Sequence, residues 1–280
     1  LCATFRQDDP PQNKNDKGKT MKNIALITGA SSGIGRELAW IHAEHGDDLV
    51  IVARREAELR KLAQEINAKH GTAVRVIAKD LAVASAAQEI YDEVTGAGLQ
   101  VDYLINNAGF GLLGKFIERD LQASLAMVHV NITALTTLTH LFVPAMVSRK
   151  RGHVLNVASV AGLMPGGPLQ SVYFASKAFV VSFSSGLAEE LRDTGVKVTT
   201  LCPGPTETEF AQAAQMDSTA VFANAFSARS VAEAGYEAML KGELIRIAGV
   251  PLSQKIMIPI MPLLPRAGIL AAIRKTQEAW

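Results

Sequence analysis

The sequence predicts a single α/β domain built on a doubly wound parallel sheet, and two features carry that expectation. From about residue 22 onward, short β-branched and aliphatic runs alternate with segments of helix length and helical periodicity. The first of those runs ends in "TGASSGIG", a glycine-rich turn leading straight into an amphipathic segment. Strands that alternate with helices need crossover connections, so they lie parallel and bury both sheet faces under helices. A chain of 280 residues, 48% of them hydrophobic, suffices for one large core. No internal repeat is visible, and no linker divides residues 22–250.

The first strand is read in "NIALIT", after a polar, proline-bearing stretch, "LCATFRQDDPPQNKNDKGKT", without apolar periodicity. Residues 1–20 are therefore expected to be a disordered tail or a cloning remnant, Met21 a natural start, and 21–250 the folded domain. "GRELAWIHAEHG" then supplies a helix, "DLVIVA" a strand, "EAELRKLAQEINAKHG" a helix, "AVRVIA" a strand and "ASAAQEIYDEVTG" a helix. "VDYLIN" precedes a long helical stretch, "LQASLAMVHVNITALTTLTHLFVPAMVS". After the strand "GHVLNVAS" comes a helix over about 172–192, and after "KVTTLCPG" a loop-rich region before the strand "ELIRIAG". Residues 251–280 form an apolar extension, expected to pack on the domain or at a subunit contact.

Composition excludes several classes. There are 28 basic against 27 acidic side chains, a formal charge of +1, and no basic block, which argues against a nucleic-acid partner. Cys2 and Cys202 lack metal-ligand spacing and suit a reducing, cytoplasmic location. His42 and His45 lie three apart on one helix with no third ligand evident; a polar helix face accounts for them, and no metal is expected.

Gly29, Gly33 and Gly35 stand where a chain turns sharply and its backbone approaches a phosphate, with the helix amides beyond offering positive dipole. Downstream, "SVYFASKAF" places Tyr173 and Lys177 one helical turn apart on the same face. Asn131 sits in the middle of the long helix, a position asparagine disfavours, so something should compensate for it.

Together, "TGASSGIG", "DLA" at 80–82, "NNAG" at 106–109, Asn131, Ser159 in "NVASVAG", "YFASK" at 173–177 and "PGPTET" at 203–208 resemble the short-chain dehydrogenase/reductase family in its compact one-domain form. The resemblance spans about residues 21–247 and implies a Rossmann-like fold and a nicotinamide-dependent oxidoreductase. It implies that Asn131, Ser159, Tyr173 and Lys177 are catalytic. Tyr173 would exchange the proton, Ser159 would donate to the substrate oxygen, and Asn131 would bend its helix and hold a water beside Lys177. A cation near the phenol, joined by the cofactor's positive ring, is expected to lower its pKa by roughly three units.

The same resemblance assigns cofactor contacts to Gly29, Ser31, Ser32, Gly33, Ile34 and Gly35 in the turn, and to Asp80 and Leu81 beside the adenine. Asp80 is alternatively a cap for the following helix. Asn107, Ala108 and Gly109 would lie along the ribose and nicotinamide side, and Pro203, Gly204, Thr206 and Thr208 beside the carboxamide and phosphates, with Tyr173 and Lys177 touching the cofactor too.

An NAD site carries an acid at the end of the second strand. Here that position is Ala53, followed by Arg54 and Arg55, which suit a 2′-phosphate, with Ser31 able to assist. NADP(H) is the expected cofactor and carbonyl reduction the expected reaction. An oxidative alcohol dehydrogenase and a non-catalytic cofactor-binding regulator stand as alternatives.

Residues 205–230 are expected to form a lid, and their Ala, Phe and Met content, with the extension, points to a lipophilic ketone or 3-oxoacyl-type substrate. The family commonly pairs helices equivalent to 119–148 and 172–192, so a homodimer or homotetramer is expected. Residues 256–273 carry one charge in eighteen residues, yet Pro259, Pro262 and Pro265 break any membrane-spanning helix. A membrane-surface contact is left open.

Overall fold

The computed structural model describes residues 22–214, 222 and 225–278. Its first half runs β1 (Ile24–Thr28), α1 (Gly33–Glu44), β2 (Asp48–Ala53), α2 (Glu56–His70), β3 (Val74–Ala78), α3 (Ala86–Gly96) and β4 (Tyr103–Asn106). There follow α4 (Leu121–Val128), a π-helical turn (His129–Ala134), α5 (Leu135–Ser148), β5 (Gly152–Val157), α6 (Ser171–Glu190) and β6 (Val196–Pro203). The chain continues through α7 (Phe210–Ala213), α8 (Ala228–Lys241) and β7 (Ile245–Ala248) to α9 (Leu252–Met257) and α10 (Arg266–Gln277). The stretches 1–21, 215–221, 223–224 and 279–280 lie outside the described residues, and with them the expected tail and much of the expected lid.

Seven strands form one parallel sheet in the order 3-2-1-4-5-6-7. The order reverses between β1 and β4, and such switch points open a crevice at the strands' carboxyl ends. Strand periodicity sorts the core. Ala25, Ile27, Ile51 and Ile105 face one side, under Leu38 of α1, Leu59 and Ile66 of α2, and Met239 of α8. Leu26, Val50, Val52 and Leu104 face the other, under Ile90 and Val94 of α3 and Leu138, Phe142 and Met146 of α5. Burial of each such large side chain contributes about 1.5–3 kcal/mol, which is why both strand faces are apolar.

The reading of His42 as part of a polar face is corrected. His42 is fully buried, with Nδ1 2.8 Å from the Tyr236 hydroxyl, because α1 is packed between the sheet and α8. Burial lowers its pKa to about 4. Among the described residues no three His, Cys, Asp or Glu side chains gather as a metal site.

One helical run, Leu121–Ser148, is long and apolar enough to cross a membrane by length and composition, and half of its most apolar window is buried inside the fold. The carboxyl-terminal stretch is not one helix: α9 ends before Pro259, a 3₁₀ turn spans Met261–Leu263, and Pro265 caps α10. Ile258 and Gln277 are buried where this extension folds back over the crevice, whereas Leu252, Ile256 and Leu263 are exposed.

Candidate active site

A cleft of about 1030 Å³ opens at the switch point and gathers the sequence motifs, from the glycine turn through Arg54, Arg55, Asp80 and Asn107 to Ser159, Tyr173, Lys177 and Thr208. The turn is built by close backbone approach. Gly29 adopts φ +69°, and a Cβ on Gly35 would lie 2.4 Å from the Gly29 carbonyl oxygen, so helix α1 starts hard against the turn only because residue 35 has no side chain. Ser32 stands at the N-cap with no side-chain cap bond, and the first turn of α1 carries no acidic residue. Such an end, with its amides and positive dipole, suits a pyrophosphate.

Several predicted contacts prove to hold the site's own backbone. Asn107 donates its amide to the carbonyls of Thr28 (2.9 Å) and Gly29 (3.2 Å), clamping the turn to the end of β4. Thr28, which sequence reasoning passed over although it opens "TGASSGIG", accepts from the amides of Asn107 and Ala108 at 3.0 Å each. Asp80 accepts from the Ala82 amide within its own turn; the cap before α3 is Ser85, so the helix-cap alternative does not hold. Thr206 donates to the Gly204 carbonyl at 2.9 Å, and the Thr208 methyl packs against Gly33.

The compensation expected for Asn131 is visible. Its Oδ1 accepts from the Phe110 amide (3.1 Å), while Nδ2 donates to the Phe110 carbonyl (3.0 Å) and the Ser176 hydroxyl (3.0 Å). The expected bend takes the form of the π-helical turn, which interrupts the regular ladder at this residue. A Cβ on Gly109 would lie 3.1 Å from both Asn131 Oδ1 and Lys177 Nζ, so these two groups face one small space.

Tyr173 and Lys177 are both buried on α6, with the ammonium 5.9 Å from the phenol ring centroid and donating to the Val157 carbonyl at 2.9 Å. The expected lowering of the phenol's pKa is not found in the protein alone. Burial drives Tyr173 up to about 12, only partly opposed by hydrogen bonding to Ser159. Burial likewise drives Lys177 down to about 8. Desolvation outweighs attraction because the ammonium is directed at a carbonyl oxygen and not at the phenol. Ser159 caps the 3₁₀ turn after β5, accepting from the Ala161 amide at 3.1 Å, and the same side chain stands beside Tyr173.

The two arginines behave differently. Arg54 is exposed and forms no ion pair among the described residues. Arg55 donates to the Ser31 hydroxyl (3.2 Å) and pairs with Glu209 at 2.7 Å. Glu209, unflagged by any sequence motif, also bonds Ser32, and these contacts hold its carboxyl below the usual range. A carboxylate thus stands on the donors that an anionic cofactor group would use. The glycine cradle, the helix end and these basic groups fit a dinucleotide.

Residues 23–219 match the family model described as short chain dehydrogenase. The chain belongs to that family. As a short chain dehydrogenase it is an oxidoreductase, and its relatives span several cofactors and substrates. It is 36% identical over 189 residues to 17-beta-hydroxysteroid dehydrogenase type 3 of Rattus norvegicus, a match covering 66% of this chain and 60% of that protein. A short-chain dehydrogenase from Sphingobium yanoikuyae, solved with NADPH, aligns with a TM-score of 0.78 at 31% identity over 92% of this chain and 98% of that one. A relative from Burkholderia phymatum, solved with NAD, gives a TM-score of 0.78 at 26% identity over the same shares, 92% and 98%.

Proposed function

We propose that this short chain dehydrogenase uses NADPH to reduce the carbonyl of a lipophilic ketone or 3-oxoacyl-type compound. The observation that carries the reading is the convergence, in one cleft, of the glycine turn, a β2 end with alanine at position 53 followed by two arginines, and the Ser159–Tyr173–Lys177 group. The bound nicotinamide would supply the hydride to the carbonyl carbon. Gly29, Ser31, Ser32, Gly33, Ile34 and Gly35 would hold the pyrophosphate, Arg54 and Arg55 the 2′-phosphate, and Asp80, Leu81, Asn107, Ala108, Gly109, Pro203, Gly204, Thr206 and Thr208 the remaining contacts.

Ser159 would donate a hydrogen bond to the carbonyl oxygen as negative charge develops there. Tyr173 would deliver its phenolic proton to that oxygen. Burial keeps the phenol protonated at neutral pH, the form that can donate. Lys177 and Asn131, facing the space at Gly109, would return a proton toward the phenolate.

Aromatic and aliphatic walls, Phe110, Met164, Phe174 and Phe210 among them, favour an apolar substrate, and the similarity to a hydroxysteroid dehydrogenase agrees with that class. Phe179 stacks on Phe183 along α6 and is exposed, which supports a homodimer through this helix. A screen of ketones with NADPH and NADH tests the reading, together with Tyr173→Phe. That variant should bind NADPH as the wild type does and lose most turnover; turnover near the wild-type level would overturn the proposal.

A further inference from the structure

We propose that Gln277, on α10, is a specificity-determining residue that accepts a hydrogen bond from the substrate's end remote from the carbonyl. The preferred substrate is then an apolar ketone with a distal hydroxyl. This rests on the carbonyl-reductase reading above.

Helix α10 turns Ile273, Thr276 and Gln277 toward the cleft, the i, i+3, i+4 spacing of one helical face. Ile273 packs against the cluster containing Tyr173 and Phe174, so this face walls the same space into which the phenol points. Leu270 lies against Gly166 and seats the helix on the loop before α6.

Gln277 is 4% exposed, and its Oε1 is buried with no hydrogen-bond donor among the described residues. The adjacent Thr276 hydroxyl does not supply one, because it donates to the Ile273 carbonyl at 2.8 Å. The lining to which it belongs includes the apolar Met164, Phe174, Ile258 and Ile273. A helix that only closed an apolar cleft would carry leucine or methionine here, since a buried amide oxygen without a donor is unfavourable. A substrate hydroxyl directed at Oε1 supplies the missing donor. An analogue ending in a methyl group leaves the oxygen dry and unpaired, and sites of this kind reject such analogues more strongly than an apolar pocket rejects an added hydroxyl.

The test uses full-length protein, NADPH and a pair of long-chain ketones matched in length, one ending in a hydroxyl and one in a methyl group. Wild type should favour the hydroxyl-ended ketone by about tenfold or more in kcat/KM, expressed in KM. Gln277→Met, which keeps the length and removes the acceptor, should bring the ratio to about unity. Its NADPH affinity and thermal midpoint should not fall, because the lost Oε1 has no donor among the described residues. If wild type reduces both ketones and either prefers the methyl-ended one or shows a ratio that Gln277→Met does not change, the assignment to Gln277 is overturned while carbonyl reduction stands. If wild type turns over neither ketone nor any other carbonyl, the reductase reading falls and this proposal falls with it.

Discussion

Replacing Lys177 with methionine should make the protein more stable at neutral pH while abolishing its turnover. The ammonium is buried, its contact is the Val157 carbonyl at 2.9 Å, and no carboxylate pairs with it among the described residues. Burial lowers its pKa from 10.5 to about 8. A group with a depressed folded pKa binds fewer protons when folded, so its penalty is fully present below the folded value and disappears as pH rises through the unfolded one. From 10.5 to about 8, the penalty at pH 7 is about 3 kcal/mol, falling by about 2 kcal/mol by pH 9.5. Losing the bond to Val157 leaves a buried carbonyl short of a donor, which costs about 1–2 kcal/mol in the variant. The net gain of Lys177→Met at pH 7 is therefore about 1–2 kcal/mol, and at pH 9.5 the variant should be no more stable than wild type. Urea unfolding of both proteins at the two pH values measures the difference directly, since the other titrating groups are common to both. A variant less stable at pH 7, with a difference that does not change with pH, would refute the account of a desolvated, unpaired ammonium.

Glu209→Gln should tighten NADPH binding by about 1.5- to 5-fold at low salt, the range for an exposed ion pair, and leave NADH binding unchanged; isothermal titration with both nucleotides checks this. Equal effects on the two nucleotides would place the carboxylate's competition at the pyrophosphate instead. Combining Ala53→Asp with Arg54→Gln should reverse a preference for NADPH, because it puts an acid at the end of β2 and removes an exposed cation. Failure of the double variant to weaken NADPH relative to NADH in the same titration would count against the assignment. In light scattering the protein should run as a dimer or larger, and a charged residue at Phe179 should shift it toward monomer.

Fold class and the succession of strands and helices were legible because periodicity is local. "NIALIT", "DLVIVA" and "VDYLIN" announce strands buried on both faces, and the glycine turn after the first of them marks where the crevice opens. Tyr173 and Lys177 were legible as a pair because helical geometry alone brings positions four apart together. The prolines at 259, 262 and 265 likewise predicted a broken extension rather than a span, as the short α9, the 3₁₀ turn and α10 bear out.

Electrostatics and long-range contacts were decided only by tertiary structure, since both depend on which distant segments exclude water from a group. The sequence places a cation near a phenol, but the direction of Lys177 toward Val157 and the burial around both groups set the sign of the Tyr173 shift. His42 looks like a surface residue until Tyr236, far along the chain, closes over it. Arg55 reads as a free phosphate ligand until Glu209 arrives from the loop after β6. Gln277 carries no local signal at all: its meaning comes from the fold-back that buries it in the wall of a cleft shared with Met164 and Phe174, more than a hundred positions upstream, because desolvation is a property of the assembled fold and not of neighbouring sequence.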